Sequence, residues 1–286
     1  MTRTRHPGLT QRTRLPRRNP SFVIGAVIVG LLILTACVSL FYTPYDSIKM
    51  SIKDRLQGPS MAHLLGTDQY GRDILSRIMQ GTQNSFLVGV VAVGIGMVFG
   101  VFFGLWAAFS PGWIDEAVMR AMDVIYAFPA ILNAILFVAI LGPGIVNAMI
   151  AIGIHSVPIF ARLTRGSVLR AREEEYVLAA YSIGRRRWTI AWRHILPNIL
   201  PSLIVQGTIQ FAAAILAEAA LSYLGLGTQL PYPSWGRMLR EAQTFMGLAP
   251  GLAVFPGVAI ALSVLGFNLL GDGMRDLLDP RLKGAY

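Results

Sequence analysis

The sequence predicts an all-α polytopic membrane protein with six transmembrane helices. Hydrophobic residues make up 54% of the 286 residues, and only 14% are charged. Apolar runs of about 20 residues recur, and a helix of that length, rising about 1.5 Å per residue, crosses about 30 Å of hydrocarbon. The basic residues, which give a formal net charge of +10, lie mainly between and outside these runs. This distribution favours orientation in a membrane over nucleic-acid binding.

Charges, glycines and prolines separate the predicted spans. The spans are predicted at 22–41, 86–109, a third span ending at Leu141, 145–161, 199–224 and 252–270. Pro129 predicts a kink in the third span. The string LTAC at 34–37 resembles a lipoprotein cleavage box, but the apolar run continues to Phe41, which favours an intact first span.

Two patterns predict how the second span begins and packs. Asp73 is suited to start a helix with Ile74, Leu75, Ile78 and Met79 on one face, so we expect an amphipathic interfacial helix before that span. Within the span, a small residue occurs every four positions from Ala92 to Gly104. This stripe favours close helix contact, either inside the chain or with a partner.

The chain divides into a basic tail at 1–20, a first span with an extracytoplasmic connector at 21–62, a core of five spans at 63–272 and a C-terminal tail at 273–286. Six spans put both termini on one side of the membrane. That side then carries 18 of the 25 basic residues, and the other side carries 7. The positive-inside tendency therefore predicts cytoplasmic termini, with the segment 173–198 on the same side.

The segment 173–198 is the longest strongly charged stretch between apolar runs. A helix-like run, 173–182, stops at Gly184, where a positive φ is easy. A second run, 185–194, is predicted to end at Pro197. The pattern predicts a helix–turn–helix between two spans. On charge alone, a simple basic loop that orients its neighbouring spans is equally compatible.

This segment resembles the EAA loop of the membrane subunits of ABC importers, and its fuller string is similar to the dipeptide, oligopeptide and nickel permease branch. The residues that carry the resemblance are Tyr176, Ala179, Ala180, Gly184, Ile190, His194, Leu196, Pro197 and Asn198. Leu178 stands where the general pattern has Glu, and His194 where it has Ile, as is common in the peptide branch. The string LLGTDxxGRDxxSR, from Leu64, is also similar to this branch.

The resemblance implies a type I ABC importer-like permease fold and the C-type permease role in peptide uptake. It implies a heterodimer with a second homologous permease, two ABC ATPase subunits and an extracytoplasmic solute-binding protein in the cell inner membrane. ATP and Mg would bind the partner subunits, and this chain would hold no cofactor. The nine loop residues would couple the ATPase to transport. Di- or oligopeptides are the expected substrates, with nickel chelates or glutathione as alternatives in the same family.

No catalytic or metal-binding motif is found in the sequence. It contains no G-x-x-x-x-G-K-[ST], no H-E-x-x-H, no Cys/His cluster and no G-x-S-x-G. We therefore expect a chain that is not an enzyme and has no metal site. An ion-coupled secondary transporter is the alternative from another class. It predicts charged residues at mid-membrane and symmetry between halves, and neither is clear in the sequence.

Polar residues within the predicted spans are candidates for a translocation path. Such groups are costly in hydrocarbon, so each requires an explanation. The candidates are Asn133, His155, Gln206 and Gln210, the last two being one helical turn apart. Interhelical hydrogen bonding is the favoured alternative for any single one of them. Glu218 is expected near the outer interface with a partner for its carboxylate.

Overall fold

The computed structural model describes residues 20–278, which form a bundle of α-helices. The helices are α1 (Pro20–Ser39), α2 (Ile74–Phe109), α3 (Gly112–Tyr126), α4 (Ala130–Leu141), α5 (Ile145–Ala171), α6 (Glu175–Ser182), α7 (Arg187–Ile190), α8 (Leu196–Leu224), α9 (Trp235–Ala242) and α10 (Gly251–Leu278). Five helical segments are long and apolar enough to cross a membrane, and the bent pair α3–α4 adds a sixth if it is one span. The predictions for residues 1–19 and 279–286 lie outside the described range.

The most extensive helix packing joins α2 to α5. A Cβ at Gly100 would lie 2.5 Å from the Cβ of Phe160 and 2.7 Å from the carbonyl oxygen of Val157. A Cβ at Gly104 would lie 2.6 Å from the carbonyl oxygen of Ala161. The two backbones therefore touch with no room for side chains. The predicted stripe of small residues packs inside this chain.

The direction of this contact fixes the topology. Gly96 faces Ser156 and Gly104 faces Thr164, so residue numbers rise together along the interface. Since α2 and α5 are parallel, the chain between them must cross the bundle once. The pair α3–α4 makes this crossing, and the six predicted crossings are confirmed.

The six crossings place the start of α1 and the end of α10 at the same end of the bundle. Gly273 packs against Phe22 there, and the α6–α7 segment lies at this end between α5 and α8. We call it the α6–α7 end. The opposite end, which carries the connector at 40–73 and α9, is called the α9 end.

The predicted kink in the third span is a complete break. Helix α3 ends at Tyr126, α4 starts at Ala130, and their axes differ by 88°. Pro129, which lacks a backbone N–H and fixes its own φ, precedes α4 as its N-cap residue. The third span is therefore two short helices rather than one kinked helix.

The predicted interfacial helix before the second span is wrong as a separate element. The Asp73 carboxylate accepts a hydrogen bond from the backbone N–H of Ser76 at 2.8 Å, so a helix does start there. That helix continues unbroken to Phe109. Its first apolar residues, Ile74 and Ile78, pack against α9 and the start of α10 instead of a membrane surface.

The predicted helix end at Pro197 is also wrong. A π-helical turn, Ala191–Ile195, joins α7 directly to α8, so the helical path runs from Arg187 to Leu224. Pro197 cannot donate a backbone hydrogen bond, and its ring crowds the preceding turn. A wider turn at this point accommodates both effects, so the helix continues through the proline.

Buried charges hold the α9 end together. Arg72 donates to the carboxylates of Asp68 and Glu241, both at 2.6 Å, although its side chain is only 1% exposed. Arg77, equally buried, donates to Glu241 at 3.0 Å, and Arg237 donates to the other oxygen of Glu241 at 3.0 Å. Burial raises the pKa of the Glu241 carboxyl, but the surrounding guanidinium groups outweigh it and hold that pKa below its ordinary value of 4.5.

We expect Gly100→Ala to destabilise the bundle, because its Cβ would meet backbone atoms of α5 that cannot move independently of the helix. Gly94→Ala is the matched control, since a Cβ there meets nothing within 4 Å and alanine favours helix. Thermal unfolding in detergent measures both. Equal unfolding midpoints for the two variants would contradict a close backbone contact between α2 and α5 at Gly100.

We expect Glu241→Gln to destabilise the protein by about 3 kcal/mol at neutral pH, because it leaves buried guanidinium groups without their shared carboxylate. The native contribution is present above the ordinary carboxyl pKa and is lost as pH falls through the lowered folded pKa. The difference in the free energy of unfolding between the native protein and the variant should therefore become smaller in acid. The measurement is the unfolding midpoint from pH 7 downwards.

Glu116→Gln is the control for this prediction, since the Glu116–Arg120 pair is well exposed. Its removal should change stability by less than about 1 kcal/mol at any pH. If the stability difference between Glu241→Gln and the native protein stays constant with pH, the charge of Glu241 is not what stabilises the native protein.

Candidate functional site

The turn between α6 and α7 has a defined backbone geometry. Gly184 has a φ of +74°, and its N–H donates to the carbonyl of Tyr181 at 2.9 Å. The N–H of Arg185 donates to the carbonyl of Ala180 at 3.2 Å. These two bonds form a Schellman motif, in which glycine adopts the left-handed conformation just after the helix. The predicted turn at Gly184 is thus a rigid helix end.

One side of this segment is anchored in the bundle. Val177, Ile190 and Ile195 are fully buried, and Ala180 is nearly so. They share one apolar cluster with residues at the ends of α2 and α5 and at the start of α8. The spacing of Val177 and Ala180, three residues apart, puts both on the inner face of α6. The segment is therefore fixed to three long helices at once.

Arg172 adds a polar attachment to this anchor. Its Nη1 donates to the carbonyl of Ala108 at 2.8 Å, and its guanidinium lies 5.6 Å from the ring centroid of Phe109. This carbonyl belongs to the last turn of α2, where helix carbonyls lack intrahelical partners. Arg172 therefore joins the start of the loop to the end of α2.

The other side of the segment is uncovered, and we call it the α6–α7 surface. Its apolar members, all between 47% and 73% exposed, are Leu178, Ile183, Trp188 and Trp192. Its charged members are Glu173, Glu174, Glu175, Arg185, Arg186, Arg187 and Arg193. Within residues 20–278, none of these charges forms an ion pair. Apolar and charged groups left open together are typical of a protein contact surface.

The nine residues predicted from the EAA-like string divide between anchor and surface. Ala180 and Ile190 are buried, and His194 and Leu196 are half-buried. The exposed members are Tyr176, Ala179, Gly184, Pro197 and Asn198. The sequence analysis did not assign roles to Val177, Ile195 and Arg172. The three-residue spacing of apolar positions in α6 was the available signal for Val177, whereas nothing local indicates the contact of Arg172 with α2.

Asn133 and His155, two of the candidate path residues, meet at the break between α3 and α4. The Asn133 amide donates to the carbonyl of Ile125 at 2.6 Å and lies 3.3 Å from Nδ1 of His155. The His155 ring stacks on Tyr126 with centroids 5.7 Å apart. Asn133 therefore donates a hydrogen bond to a backbone carbonyl that has no helical partner because the helix is broken there.

Gln206 and Gln210 lie on α8, both half-buried. Gln206 lines a cavity of about 570 Å³ together with Asn198, which lies about two helical turns closer to the α6–α7 end. In the described part of the chain, no hydrogen bond links either glutamine to Asn133 or His155. The structure thus separates the four candidates into a pair at the helix break and a pair on α8.

Glu218 is fully buried near the α9 end of α8. Its Oε1 accepts hydrogen bonds from Ser222 at 2.6 Å and from Thr228 at 3.2 Å. Ser222 also accepts from the backbone N–H of Thr228 at 2.9 Å. The carboxyl group therefore attaches the loop after α8 to the helix.

Comparison with known proteins places these features in a family. The family described as "Binding-protein-dependent transport system inner membrane component" matches residues 100–284. A glutathione transport system permease protein, GsiD, of Pectobacterium atrosepticum is 48% identical over 91% of this chain and 87% of its own length. A dipeptide transport system permease protein, DppC, of Alkalihalophilus pseudofirmus is 46% identical over 93% of this chain and 88% of its own length.

A solved structure has the same fold. An inward-facing form of the MetNI methionine ABC transporter matches with a TM-score of 0.59 at 17% identity, over 71% of this chain and 96% of that chain. At this identity the likeness concerns the fold alone. The family match and the two relatives decide the assignment. The chain therefore belongs to the family of binding-protein-dependent transport system inner membrane components, which are permease subunits of ABC transporters.

Proposed function

We propose that this chain is the membrane-spanning subunit of a peptide importer, and that the α6–α7 surface receives an ATPase subunit. The observation that carries the proposal is the division of this segment into a buried anchor and an open surface. Val177, Ala180 and Ile190 hold it to the bundle, while its other side leaves apolar groups exposed beside charges that form no ion pair within the described chain. A surface of this kind is typical of a contact site for a second protein.

The anchor can transmit motion. The buried cluster joins the ends of α2 and α5 to α6 and α7, and the π-helical turn continues the same helix into α8. A displacement of the α6–α7 segment therefore moves these ends as one packed unit. In an alternating-access cycle, closure of an ATPase dimer would shift this unit and turn the bundle outward, and hydrolysis would reset it.

The orientation follows from charge. By sequence, 18 of the 25 basic residues fall on the same side of the six spans as the α6–α7 segment, namely in the two terminal tails, at Arg120 and from Arg162 to Arg193. The positive-inside tendency assigns this end, with both termini, to the cytoplasm. An ATPase would reach the α6–α7 surface there. The α9 end would meet an extracytoplasmic solute-binding protein.

The proposed assembly has this chain, a second homologous permease, two ATPase subunits and a binding protein. The chain itself would perform no covalent chemistry, and ATP and Mg would bind the ATPase subunits. The relatives named for dipeptide and glutathione transport support a peptide substrate. A nickel chelate is the alternative cargo within the family.

Reconstitution tests this function directly. The complex that co-purifies with the tagged chain is placed in liposomes with its binding protein, and uptake of labelled dialanine is followed. We expect uptake only when ATP is supplied on the ATPase side. Uptake driven by an ion gradient without ATP would instead identify a secondary transporter and overturn the proposal.

We expect Gly184→Asp to abolish this uptake while leaving membrane insertion intact. A Cβ at Gly184 meets nothing within 4 Å, so the new side chain does not clash with the bundle. Aspartate also tolerates a positive φ better than most residues. The added carboxylate would stand on the α6–α7 surface, where it would disturb the contact with the ATPase. Transport and co-purification of the ATPase are both measured.

Two controls sharpen this prediction. Gly184→Asn adds a side chain of the same size without charge, so it separates shape from electrostatics. Gly112→Asp adds the same carboxylate at another open glycine near the end of α2, outside the α6–α7 surface, and should retain transport. Normal uptake by Gly184→Asp would defeat the coupling assignment.

A further inference from the structure

A cavity of about 570 Å³ opens between three helices at the α6–α7 end. It is bordered by Leu163 of α5, a row of residues on the first half of α8, and Arg275 of α10. This volume falls in the range of small-molecule sites, roughly 300–1,000 Å³. Its size suits a dipeptide or tripeptide.

One wall of the cavity is a polar row on α8. Asn198, Ser202 and Gln206 follow each other at intervals of four residues, so their side chains lie on one face of the helix. Asn198 uses its amide N–H to donate to the carbonyl of His194 at 2.9 Å, which leaves its side-chain oxygen free to accept. In the described chain, the side chains of Ser202 and Gln206 make no hydrogen bond. The row therefore offers both donors and acceptors to peptide groups.

The other wall carries one cation. Arg275 is exposed, and within residues 20–278 its guanidinium forms no ion pair, hydrogen bond or ring contact. Asp272 lies on the same helix one turn earlier but is not within ion-pair distance. A guanidinium presents paired N–H donors that match the two oxygens of a carboxylate. An unpaired arginine facing a row of amides and a hydroxyl fits a ligand with peptide groups and a terminal carboxylate.

We propose that this cavity binds the carboxylate end of the transported solute as it leaves the membrane path. The inference rests on the proposed function and adds a substrate feature to it, namely a free carboxylate recognised by Arg275. Gln206, Ser202 and Asn198 contact the uncharged part of the solute. Selection at this point is separate from selection by the binding protein.

The test uses the full-length chain with its co-purified partners in nanodiscs of phosphatidylcholine, without binding protein. Equilibrium binding of labelled dialanine is compared with that of dialanine amide, which lacks the carboxylate. We expect dialanine to bind about tenfold more tightly, the effect of one charge-assisted hydrogen-bonded pair in a half-open site. Equal binding of the two probes would overturn the inference.

Variants distinguish the contribution of Arg275 to binding from that of the polar row on α8. Arg275→Gln should weaken dialanine binding about tenfold and leave the amide unaffected, whereas Arg275→Lys should restore part of the preference. Gln206→Leu should weaken both probes equally, because it removes a contact to the uncharged part. Arg120→Gln is the matched control, since it removes an exposed charge outside the cavity. An unchanged preference in Arg275→Gln would contradict the assignment.

An anionic lipid headgroup is the other chemical source that a free guanidinium could attract. Repeating the measurement in nanodiscs with phosphatidylglycerol distinguishes it. Displacement of dialanine by that lipid would assign Arg275 to the headgroup and overturn the inference. ATP-driven uptake by the native complex is measured in parallel. Intact uptake without a carboxylate preference refutes only the cavity assignment, whereas absent uptake refutes the proposed function.

Discussion

The backbone contact between α2 and α5 is the constraint on which the rest of the bundle depends. Glycine at positions 96, 100 and 104 lets the two helices touch, and their parallel direction forces α3 and α4 to cross the membrane region between them. The ends of these helices then form the base against which Val177 and Ile190 pack. Any side chain larger than hydrogen in the contact would separate α2 from α5 and loosen that base.

The two ends of the bundle are stabilised by different interactions, apolar packing at one end and buried ion pairs at the other. At the α6–α7 end, buried aliphatic and aromatic groups join five helices and tolerate small shifts through repacking. At the α9 end, Arg72 and Arg77 are buried against shared carboxylates, and removing one partner would leave an uncompensated charge. An ionic cluster of this kind permits few alternative arrangements. The connector before α2 and helix α9 are therefore held in one geometry. At the opposite end, the helices are joined by apolar packing.

Local sequence signals predicted the parts of this structure that local physics determines. The six crossings follow from apolar length and charge, the start of α2 follows from Asp73, and the turn after α6 follows from Gly184. The depth of the break at Pro129 and the continuity of the helix through Pro197 depend on neighbouring helices, and the sequence predicted them wrongly or incompletely. In the site, spacing identified the α6–α7 segment. Residue spacing alone could not show which side of that segment is the anchor and which is the surface, because its residues are buried by contact with the ends of α2 and α5.

The position of the cavity connects the site with the fold. Helices α1 and α10 form a second closely packed pair, in which a Cβ at Gly25 would lie 2.4 Å from the backbone nitrogen of Leu270. Helix α8 lies between this pair and the pair α2–α5, and the cavity opens where α5, α8 and α10 meet. Because α7 continues into α8, a displacement at the α6–α7 surface acts first on the helix that carries Asn198 and Gln206. Arg275 stands on the other pair, so in the proposed cycle the same displacement alters the distance between the polar row and the cation.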